Sequence, residues 1–222
     1  MTLRRVLVTG ATGFFGRHIC KALLAAGYEV TVAVRRFDSA AIDPDIKIIN
    51  VGEIGPGTNW EKALDGVEVI IHAAARTHVF GERPDVSEKA YRSINFEATK
   101  ALATQAAESG VQQFIFISSV KAGGEFSKPG WPLRAEAPPA PEDAYGRTKL
   151  EAEKFLVDMA CMAHMDIMIL RAPLIHGPGL RGNMLSLFKA VSKGIILPFK
   201  GINNRRDLIY VLNLVDATMC AI

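Results

Sequence analysis

Tyr145 and Lys149 stand four residues apart at the start of a helical pattern that runs from about Asp143 to His164. That spacing puts both side chains on one helix face. A phenol ionises near pH 10, so bringing it to neutrality takes roughly 4 kcal/mol of selective phenolate stabilisation, and an adjacent ammonium, assisted by a cationic nicotinamide, has the right sign. Such a pair can give a proton to a carbonyl oxygen as hydride reaches the carbon, or take one from a hydroxyl as hydride leaves. Ser118 and Ser119 follow the apolar run of a strand, where a hydroxyl can orient the reacting oxygen.

A second group of residues suits phosphate. In Thr9-Gly10-Ala11-Thr12-Gly13-Phe14-Phe15-Gly16, Gly10 permits a tight turn, Gly13 lets backbone approach a pyrophosphate, and Gly16 lets a helix pack close to a strand. Free amides and the dipole at the helix start favour negative phosphates. The next strand ends Ala33-Val34-Arg35-Arg36, without the carboxylate that would accept from the ribose hydroxyls of NAD. Guanidinium groups there suit the 2′-phosphate of NADP. Gly52-Glu53-Ile54 is a candidate adenine edge. In His72-Ala73-Ala74-Ala75 the alanines leave room for a flat cofactor, and His72 reads as structural.

The elements that must position these residues alternate. Arg5–Thr9, Glu29–Val34, Ile46–Val51, Val67–His72, Gln113–Ser118 and Asp166–Leu170 read as strands. Gly16–Ala26, Trp60–Leu64, Pro84–Ser109 and Asp143–His164 read as helices, with Gly110 as a stop. Val120 to Pro141 is irregular, and Gly177-Pro178-Gly179 forces a turn. Near-continuous apolar strands between helices predict an α/β fold, a doubly wound parallel sheet covered on both faces.

The 222 residues suffice for one ample core. A net charge of +3 without a run of like charges excludes a nucleic-acid tail and is compatible with an anionic small molecule. Cys20, Cys161 and Cys220 have neither disulfide nor metal spacing, which predicts reduced thiols, no metal site and a cytoplasmic location. No signal-peptide pattern opens the chain, and no apolar run approaches the ~20 residues of a membrane span.

Assembled in order, these features resemble the extended short-chain dehydrogenase/reductase family. The loop from Thr9 to Gly16 is similar to its TGxxGxxG pattern, Tyr145 and Lys149 to its YxxxK pair, and Ser119 to its active-site serine. Asn95, Leu170-Arg171-Ala172-Pro173 and Arg206-Asp207-Leu208-Ile209-Tyr210-Val211 also match, the last resembling a segment of nucleotide-sugar enzymes. The runs Ser118–Glu125 and Ala140–Gly146 look like the 4-epimerases and 4-ketoreductases of bacterial surface-polysaccharide synthesis, in particular UDP-N-acetylquinovosamine dehydrogenase-type enzymes.

The resemblance implies a Rossmann-type fold, with residues 1–172 binding NAD(P) and 173–222 forming part of a substrate region. It implies Tyr145 as acid/base, Lys149 as its electrostatic partner and ribose ligand, and Ser119 as carbonyl orienter. Pro173 and Asn95 fall to the cofactor side, Asn183 and Arg206 to the diphosphate of a UDP-sugar. The expected reaction is oxidoreduction or epimerisation at C4 of a UDP-linked hexose, by a homodimer. The sequence departs from the family at Gly123-Gly124, where epimerases carry a tyrosine before the glycine, and at His176, where many have tyrosine. Two alternatives therefore stay open: reduction of a non-nucleotide, steroid-like carbonyl, and dinucleotide sensing without turnover. The chain ends at Ile222, inside a helical pattern begun near Asn213, where the family continues into further substrate-binding elements.

Overall fold

The computed structural model describes residues 4–36, 42–77, 84–127, 130–180, 182–196, 201 and 205–222. Strand β1 (Arg5–Thr9) alternates its side chains between two apolar layers: Val6 and Val8 face one, Leu7 the other, and all three are fully buried. The same two-sided burial recurs in β2 (Glu29–Val34), β4 (Val69–His72) and β5 (Gln113–Ser119), as expected of a sheet with helices on both faces. With β3 (Lys47–Asn50) and β6 (Asp166–Ala172), these strands form one parallel sheet in the order β3-β2-β1-β4-β5-β6. The order reverses beside β1, which creates a crevice at the carboxyl ends of β1 and β4.

One face is covered by α1 (Phe14–Ala25) and, from the far end of the chain, α7 (Val211–Cys220). Phe15, Ile19 and Leu23 meet Val211, Leu214 and Val215 in this layer. Arg4 and Gln113 tie the chain end down by donating to the carbonyls of Ile222 (2.6 Å) and Ala221 (2.5 Å). The other face carries α2 (Glu61–Leu64), α4 (Ala98–Glu108) and α5 (Ala144–Met162) over Leu7, Ile70, Phe114 and Phe116.

Two features differ from the sequence expectation. The helix expected over Pro84–Ser109 is broken: α3 (Pro84–Tyr91) and α4 are joined by a π-helical turn, Arg92–Glu97. Such turns insert an extra residue where a side chain has a special task, and buried Asn95 lies within this one. Beyond β6, β7 (Leu174–His176) pairs in parallel with β8 (Leu208–Tyr210) as a separate two-stranded sheet, flanking α6 (Asn183–Ser192). Neither short strand stood out locally, because each is defined by a partner about thirty residues away in the chain. Helix α6 has no buried residue, and Phe188 and Val191 lie exposed on it. Among the described residues, no helix is long and apolar enough to cross a membrane.

Candidate active site

The glycine loop leaves no room for side chains. A Cβ at Gly16 would stand 2.1 Å from the Gly10 carbonyl oxygen, and one at Gly10 (φ +72°) would meet the Ala74 nitrogen at 2.7 Å. Gly13 donates its amide to Gly10 (2.9 Å) and caps α1 without using a side chain. The first amides of α1 thus open toward the crevice, beside exposed Thr12 and half-buried Phe14. This arrangement fits a pyrophosphate. The Phe15 side chain is buried in the α1–α7 layer, which leaves its backbone amide, in the first turn of α1, as the group that can face a cofactor. Arg35 and Arg36 are both exposed, and Arg35 lies 3.6 Å from exposed Glu53. Neighbouring Ile54 packs against the other layer.

A directed chain of hydrogen bonds fixes the floor of the crevice. Thr99 donates to the Asn95 carbonyl (2.9 Å), so its oxygen must accept from His72 Nε2 (2.9 Å). His72 Nδ1 is then the acceptor for Thr9 (2.7 Å), whose oxygen also accepts the Ala74 amide (3.2 Å). Burial, joined by repulsion from Lys149, pushes the imidazole down to about 3. His72 is therefore a neutral structural link, as expected. Asn95 spends its amide on the Arg76 backbone (2.8 and 3.1 Å) and on Thr148 of α5 (3.4 Å). It shapes the strand end that carries Ala73 and Ala74.

Ser119, Tyr145 and Lys149 come together where β5 ends against α5. The Ser119 and Tyr145 side chains share a hydrogen bond. Ser119 Oγ also accepts the Lys121 amide (3.3 Å), which leaves its proton for a phenol or a reacting oxygen. Lys149, only 1% exposed, donates to the Ile117 carbonyl (2.9 Å) and lies 4.3 Å over the Phe116 ring.

The electrostatics correct the sequence expectation for the phenol. Burial pushes Tyr145 up to about 12 against the lowering effect of the Ser119 bond, with Asp143 and Tyr91 adding to the rise. Burial pushes Lys149 down to about 7, with Glu153 partly opposing. The protein's own groups therefore keep the phenol protonated, because desolvation outweighs the Ser119 bond.

Several supporting residues went unsingled in the sequence. Glu153 receives a bond from Ser118 (2.5 Å) and grips Arg171 of β6 through both oxygens (2.6–3.1 Å). The signal was present: Glu153 lies four residues past Lys149, on the same helix face. Asp143 caps α5 by accepting from the Gly146 amide at 2.6 Å. Pro173 links β6 to β7 beside this site. Asn183 and Arg206 are exposed, and among the described residues no hydrogen bond or ion pair joins them to Ser119, Tyr145 or Lys149.

The sequence profile described as "NAD dependent epimerase/dehydratase family" matches residues 6–222. Over 221 residues the chain is 42% identical to a UDP-glucose 4-epimerase of Vibrio cholerae, covering 99% of this chain and 66% of that protein. It is 31% identical over 227 residues to a 3-beta-hydroxysteroid dehydrogenase of Mycolicibacterium neoaurum, covering 99% of this chain and 61% of that one. The chain thus spans less than two thirds of the length of these curated relatives. Its fold superposes with TM-score 0.82 on the crystal structure of a UDP-glucuronic acid 4-epimerase from Bacillus cereus in complex with UDP-glucuronic acid and NAD, at 27% identity, covering 98% of this chain and 72% of that one.

Proposed function

Because the chain belongs to the NAD dependent epimerase/dehydratase family, we propose that it is an NAD(P)-dependent oxidoreductase or epimerase acting at C4 of a UDP-linked hexose. The observation that carries this reading is the meeting of Ser119, Tyr145 and Lys149 at the crevice beside the glycine cradle. Oxidised nicotinamide, when bound, supplies the hydride acceptor and a positive charge next to the phenol.

The chain's residues do the rest. Ser119 orients the C4 oxygen with the proton its Lys121 bond leaves free. Tyr145 accepts the C4 hydroxyl proton in oxidation and returns it in reduction. Lys149, pinned between Ile117 and the Phe116 ring, is in its protonated form the electrostatic partner of the phenol and reaches the ribose. Thr12, Gly13, Phe14 and the first turn of α1 receive the pyrophosphate, and Ala73, Ala74 and Pro173 flank the nicotinamide. Arg35 and Arg36 favour the 2′-phosphate of NADP, for which Arg35 must exchange its partner Glu53.

Residues 173–222 contribute Asn183 and Arg206 to the nucleotide diphosphate, although α7 also completes the cofactor fold. A role in bacterial surface-polysaccharide synthesis, a homodimer through α4 and α5, and a cytoplasmic location complete the proposal. The V. cholerae and B. cereus proteins support the sugar-nucleotide assignment.

A second reading, an apolar steroid-like carbonyl, draws on the M. neoaurum relative and on the exposed Phe188 and Val191 of α6. Calorimetric titration with UDP separates the two. The first reading expects binding that weakens about tenfold or more in Arg206→Ala through loss of a charge-assisted contact. Absence of UDP binding by the intact protein would overturn it in favour of the second.

A further inference from the structure

The run Val120–Glu125 stood out in the sequence without a task among the catalytic residues. After β5 the chain makes a single 3-10 turn, Val120–Ala122, and its backbone lies directly against the start of α5. A Cβ at Gly146 would stand 2.4 Å from the Lys121 carbonyl oxygen, so only glycine allows this contact. The Lys121 side chain closes the same contact from the other end. Its ammonium sits 2.6 Å from Asp143 Oδ2 and 3.1 Å from Glu125 Oε1. The other Asp143 oxygen accepts the Gly146 amide. One carboxylate thus caps the helix that carries Tyr145 and receives the cation of the turn that follows Ser119.

We infer that Lys121 is a positioning residue for proton transfer at Tyr145, acting through Asp143: it holds the turn after Ser119 against the cap of α5 and neutralises the carboxylate two residues from the phenol. This inference rests on the proposed acid/base role of Tyr145. The charge logic has a defined sign. Around the phenol lie Ser119 from β5, Asp143 from the cap of α5 and Tyr91 from α3; Lys149 stands one helical turn further along α5, Lys121 with Glu125 from the intervening segment meets Asp143, and Arg76, after β4, lies over the Tyr91 ring. Asp143 pushes the phenol up, and Lys121 is the cation bonded to that carboxylate. Burial works against charge on Lys121, but its bonds to Asp143 and Glu125 outweigh it and hold the ammonium above its ordinary value.

The test follows Tyr145 ionisation by NMR of the protein carrying [13C-ζ]tyrosine, assigned against Tyr145→Phe, in the free protein and with saturating oxidised dinucleotide. Lys121→Met should move the titration to higher pH, by about threefold or more in the phenol/phenolate ratio at fixed pH. Lys121→Arg should restore it. Asp143→Asn keeps an oxygen to cap α5 but removes the charge, and should move the titration the opposite way. Opposite signs in Lys121→Met and Asp143→Asn cannot arise from loosened packing alone. If both variants melt cooperatively and the titration stays put, or both shift it in one direction, the inference is overturned. If the shifts appear as expected and no sugar nucleotide is turned over, the clasp stands and the proposed substrate falls.

Discussion

His72 and Lys149 are both sealed inside the fold, and both touch the Phe116 ring: the imidazole stacks at 5.8 Å and the ammonium sits at 4.3 Å. Around His72, at the cofactor end of β1 and β4, every proton has a partner. Thr9, Thr99 and Asn95 fix its tautomer, and the site is neutral and complete once the chain folds. Around Lys149, where β5 meets α5, folding instead buries an amine whose charged form is penalised. Its direct hydrogen bond is to the Ile117 carbonyl, and burial drags its pKa to about 7 while pushing that of neighbouring Tyr145 to about 12. The difference separates scaffold from chemistry. A cradle benefits from satisfied groups, whereas proton transfer needs groups whose preferred charge changes when a ligand arrives.

Tyr145→Phe tests the reactive side with the largest effect. Turnover should fall about 10²–10⁴-fold, while dinucleotide affinity by fluorescence quenching stays near wild type. Unchanged turnover would remove Tyr145 from the chemistry.

Lys149→Met asks what burying the amine costs. Between about 7 and 10.5 the unfolded chain binds the lysine proton and the folded chain does not, so stability rises with pH across that window and the penalty is full below it. The variant should be more stable than wild type at pH 7, on the order of 4 kcal/mol, and should lose that rise in a Tm series. His72 has the same sign between about 3 and 6.5, so both proteins should still lose stability on acidification there. A variant less stable at pH 7 would mean that Lys149 is compensated as fully as His72.

How far this contrast could be read from the sequence follows from where each part is encoded. β1 and β2 have the expected bounds, because a buried parallel strand is a local apolar run with glycine on one side. Tyr145, Lys149, Ser119 and the glycines were visible as types at fixed spacing. The π-turn at Asn95, the β7–β8 pair and the Glu153–Arg171 grip were not, since each depends on a partner distant in sequence. The effect of the protein's own groups on Tyr145 was not legible for the same reason. Spacing reveals a neighbouring lysine but not the burial that raises the phenol and lowers the amine.

Gly16→Ala tests the completed side. With 2.1 Å between the new methyl and the Gly10 oxygen, the loop must move, and overpacking of this kind costs about 1–3 kcal/mol. Dinucleotide affinity should fall along with Tm, while Tyr145 titrates as before. Wild-type affinity would show that the cradle is not the phosphate site.

Arg35→Ala is the mildest variant. It should lower the affinity for NADPH relative to NADH by about tenfold and leave Tm unchanged, because Arg35 and Glu53 are exposed and their ion pair contributes little. Equal effects on both cofactors would reassign Arg35 away from the 2′-phosphate.

The central claim is that Tyr145 serves hydride chemistry on a sugar nucleotide, and one measurement reaches it directly. The protein is mixed with each dinucleotide in its oxidised and its reduced form and a panel of UDP-4-keto and UDP-hexosamine sugars, and near-ultraviolet absorbance is followed with product analysis. The account predicts a changed UDP-sugar, with stoichiometric loss of absorbance for a net reductase or none for an epimerase. Bound UDP-sugar that emerges unchanged with every cofactor and sugar offered would contradict it.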